Sequence, residues 1–171
     1  GDFFIWSVAS MGDLNMDGIT DIAAGAIFDD DGGMDRGAVW VLFLDTNGTV
    51  KSHQKISSTQ GGLAGPIDDL DRFGSSIAFI NDLDADGVVD IMVGALRDDD
   101  GGTDRGAIWV LFMDTNGTIK SEQKISDTQG SFTGILDDAD LFGNALSCIG
   151  YLNGDCTLGV VAGSVDDDDG G

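Results

Sequence analysis

The sequence predicts an all-β chain built from tandem four-stranded antiparallel units, about two and a half of them. Three observations predict it. A 69-residue segment recurs: between 13–60 and 82–129, 34 of 48 ungapped positions are identical, and Phe73-Gly74 and Gly94 return as Phe142-Gly143 and Gly163. The composition is that of turns rather than helices, with 27 glycines, one proline and 31 acids, of which only Glu122 is a glutamate. Aspartate and glycine favour turns, whereas helix faces prefer glutamate. The apolar segments are also short, rich in β-branched and aromatic residues, and separated by Asp/Gly clusters.

Within the second unit each element can be justified in order. Residues 75–80 (SSIAFI) read as a short strand, followed by the aspartate loop 82–90. Residues 91–96 (IMVGAL) read as a second strand and 97–106 as an Asp/Gly loop. The run 107–113 (AIWVLFM) is apolar throughout, which marks a strand buried on both faces. Asn116-Gly117 is a strong hairpin signal. It leads into 119–125 (IKSEQKI), the most polar segment, expected at an outer edge where Lys120 and Lys124 discourage further pairing. A Gly-rich connector, 127–141, enters the next unit. The implied divisions are 1–67, 68–136 and a partial unit 137–171, holding the first two strands of a third repeat. A sheet whose middle strands want cover on both faces is served by radial stacking, as in a β-propeller, or by flat stacking in a filament; a two-sheet sandwich fits less well.

Charge and composition exclude several roles. A net charge of −23 repels nucleic-acid phosphate and anionic lipid surfaces. No apolar run reaches the roughly 18–20 residues that span a bilayer. No leader pattern opens the chain, so its N-terminus is expected to be mature or internal to something longer. A single histidine, His53, stands opposite Glu122 in the repeat register and is expected on the surface, and no Ser-His-Asp or Cys-His set is readable. Carboxylate pairs abound, but their placement in turns favours cations over glycosidase-like catalysis. Trp40 and Trp109 lie within apolar runs and read as core.

The sharpest chemical feature is the pattern D-x-[DN]-x-D-G-x-x-D. It occurs as Asp13, Asn15, Asp17, Gly18 and Asp21, and again as Asp82, Asp84, Asp86, Gly87 and Asp90. Ca²⁺ takes six to eight hard oxygens. Positions 1, 3, 5 and 9 offer side-chain oxygens, position 7 (Ile19 or Val88) a backbone carbonyl, and the glycine permits the sharp turn. An EF-hand would place a glutamate at position 12 between helices; here position 12 is Ala24 or Val93 and the flanks are strands. Mg²⁺ suits such an all-protein cage poorly, so Ca²⁺ is the expected ion. In the third copy the equivalent positions are Tyr151, Asn153, Asp155 and Gly159, so the motif is largely lost. Both cysteines, Cys148 and Cys156, occur in that copy alone; a disulfide between them would hold the loop, and two free thiols are the alternative.

Phe73-Gly74, the aspartate loop and Gly94-Ala95, in that order, resemble the FG-GAP repeat of integrin α-subunit β-propellers and their bacterial relatives. The resemblance spans essentially the whole chain and implies Ca²⁺-stabilised propeller blades, with the ligands at the residues just named. Two departures stand out. Ile27, Leu96 and Val165 occupy the place of the family proline, and the first copy has Phe4-Ile5 for Phe-Gly. Two and a half blades do not close a ring, which takes about 4–8. The expected partners are therefore neighbouring repeats of a longer chain or copies of itself, with a protein or glycan ligand for an adhesive role.

Other features repeat with the unit. Asp29-Asp30-Asp31-Gly32-Gly33-Met34-Asp35-Arg36 and its copy at 98–105 suit either a second cation or a solvated turn with an Asp–Arg pair. Asn47-Gly48-Thr49 and Asn116-Gly117-Thr118 are N-glycosylation sequons at hairpin tips, though Asn-Gly also serves the turn itself. The functional expectation is a non-enzymatic, extracellular, calcium-binding repeat module with a structural or adhesive role. The alternatives are an accessory propeller of a secreted hydrolase or lyase, or a repeat subunit of a surface filament.

Overall fold

The computed structural model describes residues 4–151 and 158–165. They contain strands and turns without a helix. The first sheet comprises β1 (Ser7–Gly12), β2 (Asp21–Ala26), β3 (Ala38–Leu44) and β4 (Val50–Ile56). The second comprises β5 (Phe73–Asn81), β6 (Asp90–Ala95), β7 (Ala107–Met113) and β8 (Ile119–Ile125). A third, two-stranded sheet pairs β9 (Ala145–Tyr151) with β10 (Leu158–Gly163). Each four-stranded sheet is an antiparallel meander with its strands in chain order, consistent with propeller blades.

Burial shows how the sheets stack. β5 and β6 are buried along almost their whole length, because the second sheet is covered on both faces. The equivalent β1 alternates between exposed and half-buried for most of its length, as a strand covered on one face does. One apolar cluster lies between the first two sheets and includes Val39, Val41, Ile56, Phe73, Ile91, Trp109 and Leu111. A second, smaller one lies between the second sheet and β9–β10, around Met92, Ile108, Leu136 and Phe142. Trp109 is buried as expected, but its repeat equivalent Trp40 is half-buried on the outer face of the first sheet.

The Phe-Gly and Gly-Ala dipeptides meet at the seam between sheets. Phe73 donates its N–H to the Arg36 carbonyl at 2.9 Å and fills the core. Gly74 follows with φ of 92°, a conformation that glycine adopts freely. Its carbonyl accepts from Ser7 Oγ at 2.8 Å and lies so close to Gly25 that a Cβ there would overlap it. The next seam repeats this, with the Gly143 carbonyl against Gly94 and accepting from Ser76 Oγ at 2.7 Å. The motif is thus a backbone-to-backbone contact that only glycine permits on the β2 and β6 side.

One expectation for the edge strand is corrected. Lys124 is not an exposed guard against pairing; its side chain is 6% exposed and ion-paired to Asp98 at 2.6 Å and Asp100 at 2.9 Å. Lys55 does the same in the first sheet, with Asp29 and Asp31 each at 2.7 Å. Lysine from the fourth strand therefore supplies the cation of the Asp-Asp-Asp-Gly-Gly loop. Two arginines pair across the seam, Arg36 with Asp69 at 2.8 Å and Arg105 with Asp138 at 3.1 Å, while Asp127 at 2.9 Å joins Arg105 within its own unit.

Candidate metal centre

The two aspartate loops join the first and second strands of their sheets, at the same end of each meander. Their shape follows from side chains capping the backbone. In the second loop Asp82 accepts from the N–H groups of Asp86 at 3.0 Å and Gly87 at 2.8 Å, and Asp86 accepts from Val88 N–H at 2.8 Å. In the first loop Asp13 accepts from Asp17 and Gly18, Asn15 from Asp17, and Asp17 from Ile19, all at 2.8–3.0 Å. Gly18 and Gly87 sit at φ of 85° and 89°, and Met16 and Ala85 at 61°. These Asx-type turns coil the chain so that alternate side chains face one point.

In the second loop, carboxylate oxygens of Asp82, Asp84 and Asp86 all lie within 4.8 Å of one another. All three residues are exposed. Three anions this close repel unless a cation lies among them. A cation is present: Lys120 of β8 places its ammonium 3.1 Å from Asp84 Oδ2 and in contact with Asp86 Oδ2. That hydrogen bond to Lys120 holds the Asp86 carboxyl below the usual carboxylate range. The Lys120 ammonium is held above the ordinary lysine value chiefly by Asp86. In the first loop Lys51 of β4 contacts Asp17 in the same manner. A hard-oxygen donor set with a lysine standing in as cation fits a divalent ion such as Ca²⁺.

The ninth position is placed differently. Asp90 is fully buried at the start of β6 and lies outside the group of three. One oxygen accepts from Leu83 N–H at 2.8 Å and the other from Met113 N–H at 3.0 Å, so it ties the loop to β7. Burial pushes its pKa above the usual range. Asp21 accepts the equivalent two hydrogen bonds, from Leu14 N–H at 3.2 Å and Leu44 N–H at 3.1 Å. The seventh positions differ in exposure, Val88 being buried and Ile19 half-buried.

Other expected sites can be located. Asn47 and Asn116 are exposed at hairpin tips, each accepting from the N–H and hydroxyl of the threonine two residues on. Cys148 lies half-buried on β9, whereas Cys156, Asn153 and Asp155 fall outside the described residues. His53 is exposed, with its ring 5.2 Å from Trp40. One contact that the sequence reading passed over involves Glu122. Its Oε1 accepts from the N–H groups of Ala64 at 3.2 Å and Gly65 at 2.8 Å, clasping the preceding connector. Its only sequence signal is being the sole glutamate among 31 acids.

A groove of about 590 Å³ is lined mainly by Ile, Leu, Phe and Val. No helix among the described residues is long and apolar enough to cross a membrane.

Comparison with known proteins agrees with this geometry. The FG-GAP repeat family matches residues 4–42 and 73–111, each match running from the Phe entry through the aspartate loop into the third strand. Integrin alpha-11 of Mus musculus is 39% identical over 90 residues, covering 52% of this chain and 7% of the relative. Integrin alpha-5 of Xenopus laevis is 32% identical over 171 residues, covering 91% of this chain and 15% of the relative. The chain thus spans a small fraction of the length of either relative. Its two four-stranded meanders, with the aspartate loop between first and second strands and the glycine seam between sheets, are FG-GAP repeats similar to those of integrin α subunits.

Proposed function

We propose that the chain is an extracellular, calcium-binding propeller module with a structural or adhesive role and no catalytic activity. The observation that carries the reading is the convergence of Asp82, Asp84 and Asp86 around a lysine ammonium. Ca²⁺ would be held by Asp82, Asp84, Asp86 and the Val88 carbonyl, and in the first loop by Asp13, Asn15, Asp17 and the Ile19 carbonyl. Asp21 and Asp90 serve as the buried floor and the remaining oxygen donors. The ion's chemistry here is neutralisation: it replaces the lysine as counter-charge and stiffens the turn. Exposed loops of this kind suit the millimolar calcium found outside cells. An adhesive role draws on the likeness to integrin α repeats, with a protein or glycan as the ligand.

Three further assignments belong to this reading. The units divide at 1–67, 68–136 and 137–171; Asn47 and Asn116 carry glycans when the chain is made in a glycosylating secretory pathway; and Cys148 bonds to Cys156. The deciding experiment is a melting scan at fixed ionic strength. Millimolar Ca²⁺ is expected to raise the melting temperature well beyond an equal ionic strength of NaCl, and the Asp84→Asn/Asp86→Asn variant is expected to lose that rise. An equal response to both salts would overturn the calcium assignment.

A further inference from the structure

The fourth strand of each four-stranded sheet carries two lysines, and the fold treats them differently. Lys55 and Lys124 are held in the sheet, their side chains 12% and 6% exposed, each between two carboxylates of the Asp-Asp-Asp-Gly-Gly loop. Lys51 and Lys120 reach the aspartate loops and stay open to solvent, at 39% and 25% exposed. A buried pair is costly to break, whereas an exposed one gives way readily to water and dissolved ions.

A shared irregularity of the backbone delivers the second kind. In β8, Ile119 pairs with Met113 and Ser121 with Phe112, so Lys120 is the extra residue of a β-bulge. In β4, Val50 pairs with Leu44 and Ser52 with Phe43, which makes Lys51 the extra residue there. A bulge leaves its extra residue without a ladder partner and re-aims the side chain. The turns ahead of both bulges are tied down: Asp45 and Asp114 donate their N–H groups to the Thr49 and Thr118 carbonyls, each at 2.8 Å. The lysine therefore starts from a fixed point and reaches past the neighbouring third strand to the aspartate loop.

Its ammonium meets the oxygens that a metal ion needs. Lys120 contacts Asp86 Oδ2 and lies 3.1 Å from Asp84 Oδ2, in two of the three residues whose carboxylates converge. A metal ion and this ammonium compete for those oxygens. A single positive charge on a one-side-chain tether has a high local concentration and supplies all the charge that Na⁺ or K⁺ would bring. Only an ion of higher charge gains by displacing it. We propose that Lys51 and Lys120 are built-in competitors for the metal sites: each occupies the cation position of its loop until a divalent ion displaces it, which excludes monovalent ions and sets the calcium affinity. The inference rests on the calcium reading above and assigns the regulation of that same site. An ion-free loop keeps a counter-charge and holds its shape. Affinity is weakened, because the ion binds only the fraction of loops whose lysine has swung away. Removing the competitor is expected to tighten binding by about 3–10-fold in the second loop, where the ammonium meets two carboxylates.

The test measures calcium affinity by titration calorimetry at fixed ionic strength, in an Asp13→Asn/Asp17→Asn background that leaves only the second loop to load. Lys120→Met is expected to bind Ca²⁺ about 3–10-fold more tightly than that background. It is also expected to melt at a lower temperature when calcium is absent. Lys120→Arg, which keeps the charge, is expected to restore both values towards the background. Lys51→Met, an equal loss of charge at the other loop, is expected to leave the second site unchanged. Replacing choline by Na⁺ is expected to weaken calcium binding in Lys120→Met and to leave it unchanged where Lys120 is present. Should the background fold poorly, NMR of the full chain reports the same event. Of the four lysines, Lys51 and Lys120 are expected to shift their side-chain ammonium signals with calcium, and Lys55 and Lys124 to keep theirs. Unchanged or weaker calcium binding in Lys120→Met, with the background still binding, would overturn the proposal and leave the calcium reading standing. An equal gain from Lys51→Met would reduce the effect to net charge and overturn it too, as would Lys51 and Lys120 signals that ignore bound calcium. Calcium binding by neither protein would remove both readings, whereas binding by Lys120→Met alone would support the competitor.

Discussion

Replacing Lys124 by methionine isolates the internal cation of the second sheet. The Lys124 side chain is 6% exposed and that of its partner Asp98 2%, while Asp100 is 28% exposed. The ammonium also lies 5.3 Å from the Trp109 ring centroid. Burial works against the charged lysine, yet its hydrogen bonds to Asp98 and Asp100 outweigh it and hold its pKa above the ordinary value. Methionine keeps most of the stem volume and removes the charge, leaving the buried Asp98 carboxylate with the Asp100 N–H but no counter-charge. Breaking a buried ion pair in this way costs about 3–5 kcal/mol. For a chain of this size that lowers the melting temperature by ~6–20 °C. The assay is thermal and urea unfolding at pH 4.5 and pH 8. Burial already raises the Asp98 pKa, and losing Lys124 raises it further. The folded variant then binds more protons than the unfolded chain, so its stability falls as pH rises above about 4. The deficit relative to the parent is accordingly larger at pH 8 than at pH 4.5. A loss under 1 kcal/mol at pH 8, or one independent of pH, would refute the assignment of Lys124 as a required counter-charge.

Two other perturbations test separate parts of the structure. Asp71 is buried beside Asp98, and burial pushes its pKa up to about 7. The folded state therefore holds a proton that the unfolded chain releases near pH 4, and this group's contribution is lost as pH rises towards 7. Asp71→Asn keeps the acceptor for Asp68 N–H and is expected to gain about 1–3 kcal/mol over the parent at pH 8, with little gain at pH 4. Urea titrations at the two pH values check it, and an equal effect at both would count against the buried-acid account. Gly25→Ala forces a Cβ into the Gly74 carbonyl and Ser7 Oγ, so about 1–3 kcal/mol should be lost in thermal unfolding. A neutral result would show that the seam is looser than described.

The strand pattern was legible because each unit carries its own punctuation. The spans 107–113 and 119–125 coincide with β7 and β8, since Asn116-Gly117 pins the turn between two contrasting runs. β5 begins two residues before its apolar run, at Phe73-Gly74. The reason is tertiary: Gly74 at positive φ is held by the facing sheet, and no local pattern reports that. Lys124 was misread because edge strands usually expose lysine, while its partners lie 24 and 26 residues away across a loop. Glu122 was passed over because the repeat register pairs it with His53, and variation suggested surface. The convergence of Asp82, Asp84 and Asp86 was readable from spacing alone, because Asx turns are local. The lysine among them was not, since it arrives from the fourth strand.

The glycine seam has a consequence for how such a chain sorts its own parts. Because the units are nearly identical, a hairpin that docks one unit too early or too late would bury much the same side chains. Hydrophobic contact alone hardly separates the right neighbour from the wrong one, a known hazard for repeat arrays. What differs is the label on the fourth strand: Glu122 reaches back to Ala64 and Gly65, whereas at the matching place stands His53, whose ring lies against Trp40. A single variable position then acts as an address, telling one near-copy from the next while everything around it stays interchangeable.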